Sequence, residues 1–262
     1  MRIVTWNVNS VVARLPRLLP WLTATNPDVV CLQETKVSAE TFPSADVEAL
    51  GYRVAAHGEG RWNGVAILSR VGLDDVRPGL TGDPGYPTSD ILEARAIAAT
   101  CGGVRVCSVY VPNGREPGHE HYAYKLAWLA ALRTAIADDV AGPIPYALMG
   151  DFNVAPTESD VWDPAAFTHS THVTPPERAA LAALRELGLN DVLPRPLKYD
   201  RPFTYWDYRA GMFHKNLGMR IDLVYASAPF AAAVADAYID REARKGAGAS
   251  DHAPVVIDLR LD

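Results

Sequence analysis

The chain reads as a mixed α/β sandwich built on one domain spanning residues 1–262. Three observations predict this. Short apolar or alternating runs, most with turn residues nearby, recur along the whole length. Longer segments with apolar residues at helical spacing fall between them, so strands and helices are interspersed. No linker is long enough to divide the 262 residues, and that length suits a single large α/β domain.

The elements follow in order. Ile3–Asn7 is the first predicted strand, and Val12–Thr25 the first helix, with Leu15, Leu18, Leu19 and Leu22 on one face. Val29–Gln33 is an apolar strand in which Cys31 is expected to be a core residue. Tyr52–Ala56, Val65–Ser69, Ala94–Thr100 and Val104–Tyr110 are further strands. His121–Ala137 is a helix with Leu126, Leu129, Leu132 and Ile136 at helical spacing. Tyr146–Gly150 returns to strand. The Pro-rich loop 154–176 is long, and loops of that kind are often functional or cross a surface. Arg178–Leu187 follows Pro175 and Pro176, residues that suit a helix start. Ile221–Tyr225 and Val255–Leu259 are the last two strands.

Composition narrows the class. An apolar share of 48% and a charged share of 21% are ordinary for a globular protein. No apolar run approaches a membrane span, and MRIVTWNV lacks the apolar core and cleavage site of a signal peptide. Cys31, Cys101 and Cys107 have no metal-ligand spacing, and an odd count without CxxC favours a reducing cytoplasm; a monomer is expected. The net charge of −6 argues against nucleic acid as a partner, but its distribution argues otherwise. Residues 195–220 hold six Lys or Arg against two Asp, interleaved with Tyr199, Phe203, Tyr205, Trp206, Tyr208 and Phe213. That pattern suits a phosphate backbone with exposed bases or sugars. It equally suits a solvated loop with its aromatics packed beneath.

Polar residues gather where the strands end. ALMGDFN finishes on Asp151 and Asn153, which share a face if the segment is extended. Asn7 and Asn9 close the first strand, Glu34 the second, and Tyr110 and Asn113 the run VCSVYVPN. Asp222 opens RIDLV, and Asp251 and His252 precede the last strand. Each is unremarkable alone, because Asn and Asp near strand ends commonly satisfy turn backbone and a single His is usually structural. His119, His121, His169 and His172 lack a thiolate or third imidazole at zinc spacing and are discounted. As a set, these ends are what a shared site at one edge of a sandwich would produce. Its oxygen donors, chiefly carboxylates, select a hard cation, Mg²⁺ or Mn²⁺. With a His and basic residues nearby, the chemistry that fits is phosphoester cleavage.

WNVNS, CLQET, YVPNG, GDFN, RIDLV and SDH occur in that order across the full length. The chain resembles the exonuclease–endonuclease–phosphatase superfamily, and within it the exodeoxyribonuclease III and apurinic/apyrimidinic endonuclease family. The resemblance implies a four-layer sandwich, two packed mixed β-sheets flanked by helices, acting on double-stranded DNA with abasic sites or 3′ ends. It implies Glu34 as the main metal ligand beside Asn7, with Asp251 close enough to hold or orient a metal. His252 would bond a phosphoryl oxygen, with Asp222 fixing its tautomer and raising its pKa. Asp151 would activate water or protonate the leaving oxygen, and Asn153 would orient it. Asp151, Asn153 and His252 also border the implied metal. Tyr110, Asn113 and Asn9 would face the phosphate. FTYWDYR and KNLGMRID resemble the family's pocket for a base-less sugar, selected sterically, which names Tyr205, Trp206, Asn216, Met219 and Ile221. Some relatives carry a large aromatic where Met219 stands, and Arg115 falls two residues after Asn113 rather than three. Other superfamily branches, including non-specific deoxyribonucleases and phosphatases, usually carry a His where this chain has Tyr110. A catalytically inactive DNA-binding module would be expected to lose acidic or His positions that are all present here.

Overall fold

Two parallel strand pairs organise the molecule, one at the centre of each of two six-stranded sheets. The computed structural model describes residues 1–86 and 92–260. In chain order the first half holds β1 (Arg2–Asn7), α1 (Val11–Thr25), β2 (Val29–Gln33), α2 (Ser44–Glu48), β3 (Arg53–His57), β4 (Val65–Ser69), β5 (Asp74–Pro78), β6 (Ala96–Cys101) and β7 (Val104–Tyr110). The second half holds α3 (Glu120–Ala135), α4 (Ala137–Ala141), β8 (Tyr146–Asp151), α5 (Pro175–Arg185), β9 (Asn190–Asp191), α6 (Met212–Lys215), β10 (Asp222–Ala226), α7 (Ala228–Ala233), β11 (Val234–Ile239) and β12 (Val255–Leu259).

The first sheet runs β11-β12-β1-β2-β4-β3 and the second β5-β6-β7-β8-β10-β9. In each, the third and fourth strands are parallel and every other pairing is antiparallel. Ile3, Cys31, Ile67, Val106, Met149 and Val224 meet between the sheets. The opposite faces pack on helices: Val4, Trp6 and Leu32 against Leu18 and Leu22 of α1, and Val109, Leu148 and Tyr225 against Trp128 and Leu132 of α3 and Leu184 of α5. This is the four-layer sandwich that the motifs implied. Central strands covered on both faces carry apolar side chains on both, which is why they read as continuous apolar runs.

Among the described residues, no helix is long and apolar enough to cross a membrane. All three cysteines are free and buried, with Cys31 in the inter-sheet layer as expected.

Two local features place the site. Gly150 lies inside β8 with φ 149°, where a Cβ would collide with the Val109 carbonyl oxygen. Its bare backbone lets β7 and β8 run close together up to Tyr110 and Asp151, which are paired in register. Helix α5 starts three residues earlier than the spacing predicts. Thr174 caps it through a reciprocal box with Glu177, and Pro175 occupies its first position.

Candidate active site

The polar strand ends converge at one edge of the sandwich. Asn7 at the end of β1 donates from its amide nitrogen to Glu34 Oε1 at 2.8 Å and to Asp151 Oδ2 at 2.9 Å. It thereby joins the first sheet to the second. Its Oδ1 accepts the Asn9 backbone N–H at 3.0 Å, so Asn7 bridges the two carboxylates as a donor. Asn9 donates to Asp251 Oδ1 at 3.0 Å and accepts from Lys36 Nζ at 2.5 Å, while Lys36 pairs with Glu34 Oε2 at 2.8 Å. Glu34 sits just past β2 with φ 51°, a left-handed turn that lifts its side chain from the strand line toward this cluster.

His252 is 4% exposed, so its charge state is set by its neighbours. Asp222, at the start of β10, accepts from His252 Nδ1 at 2.8 Å. His252 Nε2 lies 3.8 Å from Asp151 Oδ2. Burial pulls the imidazole pKa down. The charge and hydrogen bond of Asp222, then the charges of Asp151 and Asp251, more than offset this and push it up to about 10. Asp151 moves the other way from an ordinary carboxylate. Burial raises its pKa, His252 opposes, and the charges of Asp222 and Glu34 add to the rise, leaving it at about 7. At Glu34, burial is outweighed by Lys36 and the Asn7 hydrogen bond, and its pKa stays below the usual value. The Tyr110 phenol bonds Glu34; burial and then the Glu34 charge hold it protonated.

Asn153 differs from the strand-pleat expectation. The chain leaves β8 after Asp151, Asn153 adopts φ 50°, and its N–H donates to Asp151 Oδ1 at 2.9 Å. An Asx turn, not pleating, brings the two residues together. The Asn153 side chain accepts from Asn113 Nδ2 at 3.1 Å and donates to the Val111 carbonyl at 2.9 Å.

The ligand atoms of Glu34, Asp151 and His252 all lie within 4.8 Å of one another. Asp222 Oδ1 is buried without a hydrogen-bond partner, so the carboxylates outnumber the donors available to them. Two carboxylates with a surplus of negative charge fit an oxygen-favouring divalent cation. Asp251 stands one step outside this group, tied to Asn9 and to Ser250 Oγ.

Beside the carboxylates opens a cavity of about 440 Å³, lined by Arg115, Trp162, Phe167, His172, Tyr205 and Met219 among others. The Tyr205 ring lies 4.9 Å from that of His252. Ile221 is 1% exposed and packs with Met219, Val161 and Ala155 in the floor beneath. One expected substrate contact needs correction. Trp206 is 1% exposed and belongs to the inter-sheet core, and its Nε1 donates to Asn216 Oδ1 at 3.3 Å. Asn216 caps α6 with φ 55°. Trp206 holds the loop's shape from the core, and Asn216, half-buried, joins it to the end of α6. Phe203 and Phe213 are likewise buried, whereas Tyr199 and Tyr205 are half-buried and Tyr208 is 51% exposed, so the basic stretch 195–220 is packed loop for half of its aromatics.

This arrangement brings widely separated segments of the chain to one rim. Residues 4–252 match the model of the Endonuclease/Exonuclease/phosphatase family. The chain belongs to this family. Its members include the Haemophilus influenzae exodeoxyribonuclease III, to which the chain is 31% identical over 99% of its own length and 100% of the relative's. A solved 3′ phosphatase, NExo from Neisseria bound to a product DNA hairpin, is 38% identical with a TM-score of 0.94 and full coverage of both chains. An AP endonuclease from Archaeoglobus fulgidus is 37% identical, TM-score 0.92, again with full coverage of both chains.

The sequence reading missed several residues of this region. Lys36 lies directly beyond the quoted motif CLQET, and its charge two residues from Glu34 was the available signal. Arg95, buried beneath Tyr110 with its guanidinium 4.9 Å from the ring, carried none. His172, set aside as a zinc ligand, lines the cavity and contacts the Asn153 carbonyl through Nδ1 at 2.5 Å.

Proposed function

We propose that this family member is a Mg²⁺-dependent DNA repair nuclease that hydrolyses phosphodiesters of double-stranded DNA. It cuts 5′ to abasic sites, trims 3′ ends and removes 3′ blocking groups, working as a cytoplasmic monomer. The observation that carries this reading is the meeting of Glu34, Asp151 and His252 at one buried point, with Asp222 behind the imidazole. The relatives named as an exodeoxyribonuclease, a 3′ phosphatase and an AP endonuclease support it.

Each residue's part follows from its surroundings. Glu34, with Asp151 at its side, would hold Mg²⁺ (Mn²⁺ as a substitute), which supplies charge neutralisation at the phosphoryl oxygens. His252, kept charged by Asp222, faces a non-bridging oxygen and offsets the negative charge that grows there. Asp151, buried at the end of β8 beside His252, takes the proton of the attacking water or delivers one to the leaving oxygen. Asn113 and Asn153, linked side chain to side chain, orient the phosphate. Tyr205 and Met219 form one wall of the cavity that receives the sugar.

A single duplex carrying an internal abasic site and a recessed 3′ end tests the proposal. Incision 5′ to the abasic site and shortening of the 3′ end, both lost with EDTA and restored by Mg²⁺, are expected. Cutting that survives chelation, or no cutting by the pure protein, would refute it.

A further inference from the structure

Behind the two asparagines lies a second buried charge cluster that the reaction does not touch. Lys125 of α3 and Glu177 of α5 are both fully buried and paired at 2.5 Å. The ammonium also donates to the Asn153 carbonyl at 2.7 Å and to the Asn113 carbonyl at 3.2 Å, with Thr171 Oγ1 at 3.4 Å. Glu177 in turn accepts from the Thr171 hydroxyl at 2.7 Å, the His172 N–H at 2.9 Å and the Thr174 N–H at 3.0 Å. One ion pair therefore joins five pieces of chain: α3, the YVPN turn, the GDFN turn, the loop that walls the cavity, and the start of α5.

The carbonyls it gathers belong to the same two residues whose side chains bond each other at the rim. Asn153 is left-handed at φ 50°, a conformation that costs a non-glycine residue energy and persists when its surroundings over-determine it. Its carbonyl, turned inward, needs buried donors and meets Lys125 Nζ beside His172 Nδ1, while the Asn113 carbonyl meets Lys125 Nζ beside the Thr171 hydroxyl. An ammonium can satisfy several acceptors at once from one point. A neutral apolar side chain of the same length could fill the volume but would leave both carbonyls without that donor.

We propose that Lys125 and Glu177 are a positioning pair that fixes the Asn113–Asn153 couple over the reacting phosphate. This rests on the nuclease reading above. Displacements of the order of 1 Å at a reacting centre cost up to about a hundredfold in rate, so loss of the pair is expected to appear in kcat.

The test compares the full-length wild type with Lys125→Met, Glu177→Gln and the double variant, in Mg²⁺ on the duplex described above. The double variant removes both charges and leaves no unpaired ion in the core. It is expected to melt within a few degrees of the wild type while kcat falls roughly tenfold to a hundredfold and KM changes little. In protein labelled with ¹⁵N-asparagine, the side-chain amide resonances of Asn113 and Asn153 should move while those of Asn26 and Asn190 stay. A double variant with wild-type kcat, or one whose kcat loss merely follows its unfolded fraction, overturns the proposal. A wild type without turnover would count against the nuclease reading instead, and the amide resonances would then decide the positioning role: if they do not move, the pair holds nothing at the rim.

Discussion

The molecule contains two buried polar clusters that share Asn113 and Asn153 and differ in charge balance. Behind them, one ammonium meets one carboxylate, and the other groups around the pair are matched donors and acceptors. In front, Glu34, Asp151 and Asp222 crowd around His252 and Lys36, and one Asp222 oxygen finds no partner. A balanced cluster is complete without a ligand and acts as a brace. An unbalanced one, with negative charge in surplus, is costly to bury until a cation completes it. Charge surplus, more than the number of polar groups, separates a site from a scaffold.

The largest break in this contrast should come from metal removal. Chelation should abolish cleavage, and Mg²⁺ added back should restore it. Binding at about a hundred times the dissociation constant should stabilise the fold by about 2.7 kcal/mol, read as a rise in Tm. Replacing Glu34 by Gln should weaken that rise, whereas Glu177→Gln should leave it intact. Next comes Asp151→Asn, expected to lower kcat by roughly 10² to 10⁴ while duplex binding survives. Because it removes one of three crowded carboxylates, the same variant should raise the Tm of the metal-free protein. A fall in that Tm would mean the front cluster is also balanced, and the contrast fails.

Lys125→Met should act in the opposite sense on stability. It leaves the Glu177 carboxylate buried and uncompensated, a loss of about 3–5 kcal/mol measurable by urea denaturation. Glu177→Gln combined with it should recover most of that loss, since no charge is then left without a partner.

How much of this was visible in the residues alone depends on which physical signal each carried. The central strands declared themselves because both faces are buried. β5 (DDVRP) is exposed along its whole length and pairs only at an edge, so it has neither an apolar run nor an alternation to find. β11 follows directly on the Ala-rich α7 and buries little besides Ala237 and Ile239. On α3 the spacing placed Leu126 inside, yet Leu126 is only partly buried and Lys125 takes the inner stripe with Leu129 and Leu132. Periodicity counts apolar residues, and a buried lysine is invisible to it until its partner is known. At the site, residue identity carried Glu34, Asp151, Asp222 and His252 to one place. Composition could not say which aromatics of 195–220 face outward, and Trp206, named with the cavity by resemblance, lies in the core instead.

The smallest expected effect is the pH response of the rear pair, and it distinguishes a brace from a switch. Burial tends to raise the Glu177 pKa, but Lys125 and the hydrogen bonds from His172 and Thr171 more than offset it and hold the carboxyl below its ordinary value. A carboxylate with a depressed folded-state pKa binds fewer protons folded than unfolded. Its contribution to stability is complete above the unfolded value of about 4.3 and drains away as pH falls through the folded one. The wild type should therefore lose Tm progressively below about pH 5, and the Lys125→Met, Glu177→Gln double variant should show a shallower acid limb with the same plateau at neutral pH. Melting curves from pH 3 to 7 would check this. Parallel acid limbs in the two proteins would show that the pair carries no net proton linkage, and that its balance arises from packing rather than from charge.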